Sequence, residues 1–299
     1  MKRLVLFTAL ATLPFQANAE MLDETPRTAL MSAFPPEWQA LQSGLSDRAE
    51  HRVNGVTFVT GKMGDQPVVL FLSGVSMVNA AMTTQMALDR FNIERIVFSG
   101  IAGGVNPDLN VGDVVAPAQW GKYLEGILAR ETDGSFSIPP WMSTDFPGYG
   151  MMFTRSFGVA SQRAEEVDGR FWFEADPALL ELAKEVAAEF DLPACNAENA
   201  CLSQPPVIVV GGNGVSGPYF VDNAGFREHA FATFDAQVLD MESAAVAHVA
   251  WVNEVPFIAF RSLSDLAGGG EGENEMGTFM SIAATNSAEV MRALVAKLD

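Results

Sequence analysis

Cations, cysteine and histidine are all scarce in this chain. Against 37 Asp and Glu it carries 18 Lys and Arg, a net charge of −19 over 299 residues. A field of that sign repels nucleic acid and anionic membrane, so the expected partner is a small molecule. The three histidines, His51, His229 and His248, all lie far in sequence from the two cysteines, so no metal site is expected. The Walker sequence and the Gly-x-Gly-x-x-Gly order are both missing, as are internal repeats and low-complexity segments. Beyond residue 19 no stretch reaches membrane-spanning length without charges or prolines.

What is present begins with MKRLVLFTALATLPFQANA. Lys2 and Arg3, a short apolar run and Ala17-Asn18-Ala19 read as a cleavable signal peptide over 1–19. A buried N-terminal helix or a membrane anchor is the alternative. Export predicts a periplasmic or secreted protein starting at Glu20, with no membrane attachment after cleavage. Residues 20–299 are long enough for one large α/β domain. In an exported chain the even pair Cys195 and Cys201, within CNAENAC, is expected to close a local disulfide.

The stretch from Val238 to Gly270 carries the strongest functional pattern. Met241, Ala244, Ala245, His248, Val249 and Val252 recur at helical spacing after Asp240, a candidate cap, which puts Glu242 in the first turn. His248 on that apolar face reads as a core histidine. Pro256 stops the helix, and PFIAF reads as a strand buried on both faces. Arg261, Ser264 and Asp265 follow. Ligands of open α/β sheets bind at the carboxyl ends of strands, so two acids and an arginine converge on one rim. Either acid alone has a plain structural reading, as a dipole partner or a turn former. Together they are harder to explain by packing.

Upstream, the strand 27–34 is followed by Pro35-Pro36 and a helix that carries Glu37 in its first turn. VNGVTFVTGKMGDQPVVLFLSG reads as a hairpin turning at Gly64-Asp65, and 77–91 as an amphipathic helix leading to the strand ERIVFSG. The glycine-rich GIAGG is expected to be a loop that lets backbone approach a ligand. Residues 120–175 are the least regular and read either as a functional excursion or as packing against the sheet. Asp176 caps a helix to Phe190, the strand PPVIVVGG follows, and a last helix ends near Leu298. Strands alternating with helices predict a three-layer α/β/α fold around a mixed, mostly parallel sheet.

GIAGG with VGDVV, then SGPYFVDN, DMESAAVAHV and PFIAFRSLSD, in that order, resemble the nucleoside phosphorylase superfamily from about residue 27 onward. Glu37, Met241-Glu242 and Arg261-x-x-Ser264-Asp265 resemble the methylthioadenosine/S-adenosylhomocysteine nucleosidases. VDNAGFR and SDLAGGG look like the exported branch that includes plant bark and vegetative storage proteins. The resemblance implies a purine nucleosidase without a cofactor, acting on methylthioadenosine, S-adenosylhomocysteine or adenosine. It implies Asp265 as general acid at purine N7, oriented by Ser264, and Glu37 as the base that activates water, assisted by Arg261. Glu242 and Met241 would hold the ribose, while Phe220, Val221 and Gly103 would contact the base. Superfamily members are commonly dimers or trimer-based assemblies, and a homodimer is expected.

Two positions depart from the nucleosidase pattern: Ile101 stands where a serine is usual, and Asp240 replaces the first acid of Glu-Met-Glu. Hexameric bacterial phosphorylases carry arginines after the first strand and before the glycine loop. Here no arginine lies between Thr28 and Asp47, and Phe98 precedes Ser99-Gly100, so water is favoured over phosphate. A phosphorylase, or a nucleoside-binding or storage protein without turnover, stays open.

Overall fold

The computed structural model describes residues 20–298 apart from 164–165, 197–198, 200 and 271. The predicted signal peptide lies outside the described residues. The first half of the chain contains β1 (Asp23–Ser32), α1 (Pro35–Leu41), β2 (Leu45–Val53), β3 (Val56–Met63), β4 (Gln66–Leu72), α2 (Met77–Arg90) and β5 (Phe91–Gly104). Short strands follow: β6 (Val114–Ala116), β7 (Gln119–Lys122), β8 (Gly126–Leu128), β9 (Arg130–Thr132), β10 (Ser135–Ser137), β11 (Met152–Thr154), β12 (Phe157–Val159), β13 (Asp168–Arg170) and β14 (Trp172–Glu174). The remainder is α3 (Pro177–Glu189), β15 (Ile208–Val210), β16 (Asn213–Ser216), α4 (Ala224–Phe234), β17 (Ala236–Asp240), α5 (Ser243–Val252), β18 (Phe257–Asp265) and α6 (Met276–Val295).

A 12-stranded mixed sheet forms the middle layer, in the order β14-β7-β16-β17-β5-β1-β4-β3-β2, with β18 beside β5 and β6 and with β15 beside β6. Its centre is parallel: β4, β1, β5 and β18 run side by side, with Leu30 opposite Leu70 and Val97, and Val97 opposite Ile258. Such strands are covered on both faces, which is why they read as unbroken apolar runs. Alternation within them sorts side chains between two cores. Ala29, Met31, Val69, Phe71 and Phe98 pack on one face with Ala80 and Ala87 of α2 and with the alanines of α5. Leu30, Leu70, Val97, Ile258 and Phe260 pack on the other with Leu179 of α3 and Met291 and Leu294 of α6. The period of two along each strand is thus what builds three layers.

Three expectations are corrected here. GIAGG is no loop, because β5 continues through Gly104 and pairs with β18 up to Gly103. Arg261, Ser264 and Asp265 do not follow a strand; they are its last residues, and every residue of β18 is buried. Glu242 precedes the first turn of α5 as its N-terminal boundary residue, since β17 runs directly into Asp240. The irregular 120–175 region resolves into β7 and β14 at the sheet edge and three two-stranded ribbons, β8 with β11, β9 with β10 and β12 with β13. Cys195 and Cys201 form the expected disulfide. No helix among the described residues is long and apolar enough to cross a membrane.

Candidate active site

A cavity of about 240 Å³ opens where β1, β5, β17 and β18 end. Eight of the residues singled out in the sequence line it: Glu37, Gly103, Phe220, Val221, Met241, Glu242, Ser264 and Asp265. Arg261 lies behind this wall, fully buried.

Glu37 arrives from the third position of α1. Its Oε2 accepts from the backbone N–H of Ala33 (2.7 Å) and Phe34 (3.3 Å), tying the acid to the start of its own helix. Its Oε1 accepts from Ile101 N–H on β5 at 2.9 Å. Burial pushes its carboxyl up from the ordinary value, while Arg261 and these three N–H groups pull the other way.

Arg261 stands beside Glu37, over Gly100. Its Nε pairs with Asp240 Oδ2 at 2.7 Å and donates to Ser243 Oγ at 2.9 Å, and its guanidinium lies 4.1 Å from the centre of the Phe98 ring. Nη2 is buried without a hydrogen-bond partner, and Glu242 Oε2 stands 3.8 Å from it, too far for a hydrogen bond. Only glycine fits at position 100. A Cβ there would sit 1.9 Å from Arg261 Nη1 and 2.8 Å from Glu37 Oε1.

Asp240 is not the N-cap of α5, which is Glu242, but from the end of β17 it accepts from Glu242 N–H and Ser243 N–H, and it also takes the Ser216 hydroxyl. The Glu242 side chain makes no capping bond and turns into the cavity, where its Oε1 accepts from Ser76 N–H at 2.9 Å. Ser76 holds φ at 96°, a strained value for a residue with a side chain, immediately before α2. That contact spans the molecule and has no local sequence signal. Burial first, then the charge of Asp240, pushes Glu242 up to about 7 from an ordinary 4.5, with Arg261 opposing. The folded state therefore holds this proton more tightly than the unfolded chain. The stability it contributes is complete below about pH 4.5 and is lost as pH rises to about 7. Glu242→Gln is accordingly expected to be more stable than wild type at about pH 8 by about 3 kcal/mol, and equal to it below about pH 4.5. Urea unfolding at both pH values checks this.

Asp265 accepts from Ala267 N–H (2.8 Å) and from Ser264 Oγ (2.9 Å), and burial raises its carboxyl above the ordinary range despite these donors. A Cβ on Gly103 would come 3.1 Å from Ala267 Cβ and reach only ordinary contact, 3.4 Å, with Asp265 Oδ1, so the acid stands against β5 at this position. Ile101 and Gly103 are two residues apart on one face of β5. Glu37 bonds the backbone N–H of the first and lies 2.8 Å from where a Cβ on Gly100 would stand, on the other face, while Asp265 approaches the second, so the two acids flank the end of β5. Phe220 and Tyr219 stand half-exposed at the mouth, and Phe34, Val75 and Met276 add apolar wall. No group of His, Cys, Asp and Glu among the described residues is arranged to hold a metal ion.

A family profile described as the phosphorylase superfamily matches residues 27–296. The chain belongs to that superfamily. Among its relatives, 5′-methylthioadenosine/S-adenosylhomocysteine nucleosidase of Geobacillus thermodenitrificans is 29% identical over 90% of this chain and 96% of that protein. The Mycobacterium bovis protein of the same name is 27% identical over 89% and 95%. Among solved structures, the S. pneumoniae nucleosidase with the transition-state inhibitor MT-ImmA superposes with a TM-score of 0.68 at 24% identity, covering 91% of this chain and all of that one. Futalosine hydrolase of Helicobacter pylori does so at 0.66 and 22%, covering 91% and 98%. These structures share the three-layer fold of this superfamily member.

Proposed function

We propose that this superfamily member is an exported purine nucleosidase that hydrolyses the N-glycosidic bond of adenine-type nucleosides, with methylthioadenosine, S-adenosylhomocysteine and adenosine as its candidates. The observation that carries the reading is the pair of buried carboxyls, Glu37 and Asp265, brought to the wall of one cavity at the end of β5. Breaking a glycosidic bond leaves positive charge on the sugar and negative charge on the base, and a nucleosidase must meet both. Asp265 donates its proton to purine N7 as the C1′–N9 electron pair departs with the base. Burial keeps that proton on the acid at a pH where an exposed carboxyl would have lost it. Glu37 takes a proton from water as the water oxygen bonds C1′, and Glu242 with Met241 holds the ribose. Arg261, fixed by Asp240, Ser243 and Phe98, keeps its Nη2 3.8 Å from Glu242 Oε2 and supplies positive charge behind the carboxylates. Phosphate would meet the carboxylate of Glu37 at the cavity wall, and the sequence has Phe98 at the position where a phosphorylase carries an arginine.

Release of free base from methylthioadenosine, adenosine and inosine, followed by chromatography with and without phosphate, tests the proposal. Equal release without phosphate, with free sugar as co-product, is expected. Strict phosphate dependence would make the chain a phosphorylase, and no release would leave a binder or storage protein. The same reading includes a periplasmic or secreted homodimer. Val75 at the cavity wall and Val78 and Met82 on α2 are exposed apolar side chains, suited to a second copy. A solution mass of one chain would remove the dimer, and an unprocessed N terminus would remove export.

A further inference from the structure

Asp265 is held by a clasp that the reaction above does not use. Asn274 lies between β18 and α6, half-buried. Its Oδ1 accepts from Met276 N–H at 2.9 Å, which fixes the side chain at the start of α6. Its Nδ2 reaches two carboxylates, donating to Asp222 Oδ1 at 3.0 Å and to Asp265 Oδ1 at 3.4 Å. Asp222 is exposed and directly follows Phe220 and Val221, so one amide joins three parts of the site: the acid, the start of α6 and the segment that carries the mouth residues.

The two oxygens of Asp265 are not equivalent. Oδ1 faces two N–H donors, from Ala267 and Asn274, neither of which can accept a proton in return. Oδ2 faces only the Ser264 hydroxyl, which can rotate to accept as readily as it donates. A proton on Asp265 therefore belongs on Oδ2.

We infer that Asn274 is a positioning residue for the general acid, bonding Oδ1 so that Oδ2 is the oxygen that holds the proton, and tethering Asp222 at a fixed place beside it. The inference rests on the proposed nucleosidase reading for its role in turnover, but the arrangement of the proton does not. The charged groups around Asp265 are Asp222, Glu273 and Glu275 on the α6 side, and Glu37, Asp240 and Glu242 around the main cavity. Among cations, Arg227 is engaged with the carbonyls of Gly104 and Asn106, and Arg261 with Asp240. The two halves of the clasp act in opposite senses. The Asn274 amide favours the carboxylate, and the charge of Asp222 favours the protonated acid.

The test measures the Asp265 titration directly, from the side-chain carboxyl carbon of 13C-aspartate-labelled protein, assigned by its disappearance in Asp265→Asn. Asn274→Ala is expected to move that titration up by roughly half to one pH unit, and Asp222→Asn to move it down by about as much. The alkaline limb of kcat/KM for methylthioadenosine should follow in the same two directions. Loss of local order alone would shift both variants one way, so shifts of equal sign, or none, overturn the inference. If wild type releases no base, the nucleosidase reading fails by itself, and the carbon titration still decides the clasp. Asp222 is exposed and its replacement isosteric, so that variant folds even if Asn274→Ala does not.

Discussion

Asp265→Asn is expected to lower kcat for base release by about 10³-fold, within the 10²–10⁴ that a positioned general acid supplies, and to leave KM within a few-fold. The asparagine carbonyl can still accept from Ala267 N–H and Asn274, and its amide can donate to Ser264 once that hydroxyl turns. The pocket wall therefore survives and the substrate still binds. What is lost is the proton that neutralises the departing base. In wild type that proton is held above the ordinary carboxyl range by burial, so the protonated fraction, and with it kcat/KM, falls as pH rises through the raised value. The variant should show no such alkaline limb. Initial rates on methylthioadenosine between about pH 5 and pH 9 give both quantities. A kcat within tenfold of wild type would mean that the leaving base needs no acid here, and Asp265 would be a binding group only.

The acids were legible in the sequence because each sits at a predictable junction. Glu37 follows a strand and a Pro-Pro helix start, and Asp265 ends a run of β-branched and aromatic residues, so hydrophobic period alone places both at one rim. The parallel centre of the sheet was legible for the same reason. The strandedness of GIAGG was not, because glycine is a poor strand former and pairing with Arg261 to Asp265 of β18 and with Val238 and Leu239 of β17 holds it extended. His248 was read as a core histidine; it is half-buried, stacked on Phe173 and 3.3 Å from Lys122 Nζ, partners supplied by distant short strands. The contacts that tune the site are long-range. Ser76 meets Glu242 across 166 residues, and Asn274 bridges two aspartates 43 positions apart; no local period encodes either. Asp240 illustrates a third difficulty. The sequence places the cap two residues early, at the end of β17 instead of at Glu242, and the pairing of the same carboxylate with Arg261 exists only once β17 and β18 are brought to the same end of the sheet.

Glu37→Gln is expected to be as damaging to turnover as the loss of Asp265, and for a reason that also touches stability. All three hydrogen bonds of Glu37 are accepted: Oε2 takes Ala33 and Phe34, and Oε1 takes Ile101. A glutamine must turn its NH₂ toward one set or the other, putting donor against donor in a site that is 2% exposed. The buried N–H left without an acceptor costs about 1–3 kcal/mol, visible as a lower urea midpoint. The carboxylate that removes the water proton is gone as well, so kcat falls by about 10²–10⁴-fold. The pH profile separates the two effects. Wild-type kcat/KM should rise on the acid side as Glu37, raised by burial, loses its proton, because only the ionised form can act as base. Glu37→Gln has no such proton to lose, and its residual activity should be flat there. If the rising limb persists in the variant, the titrating base is another carboxyl of the cavity, with Glu242, raised to about 7, the first to test. Unaltered kcat would mean that Glu37 is not the base that activates water.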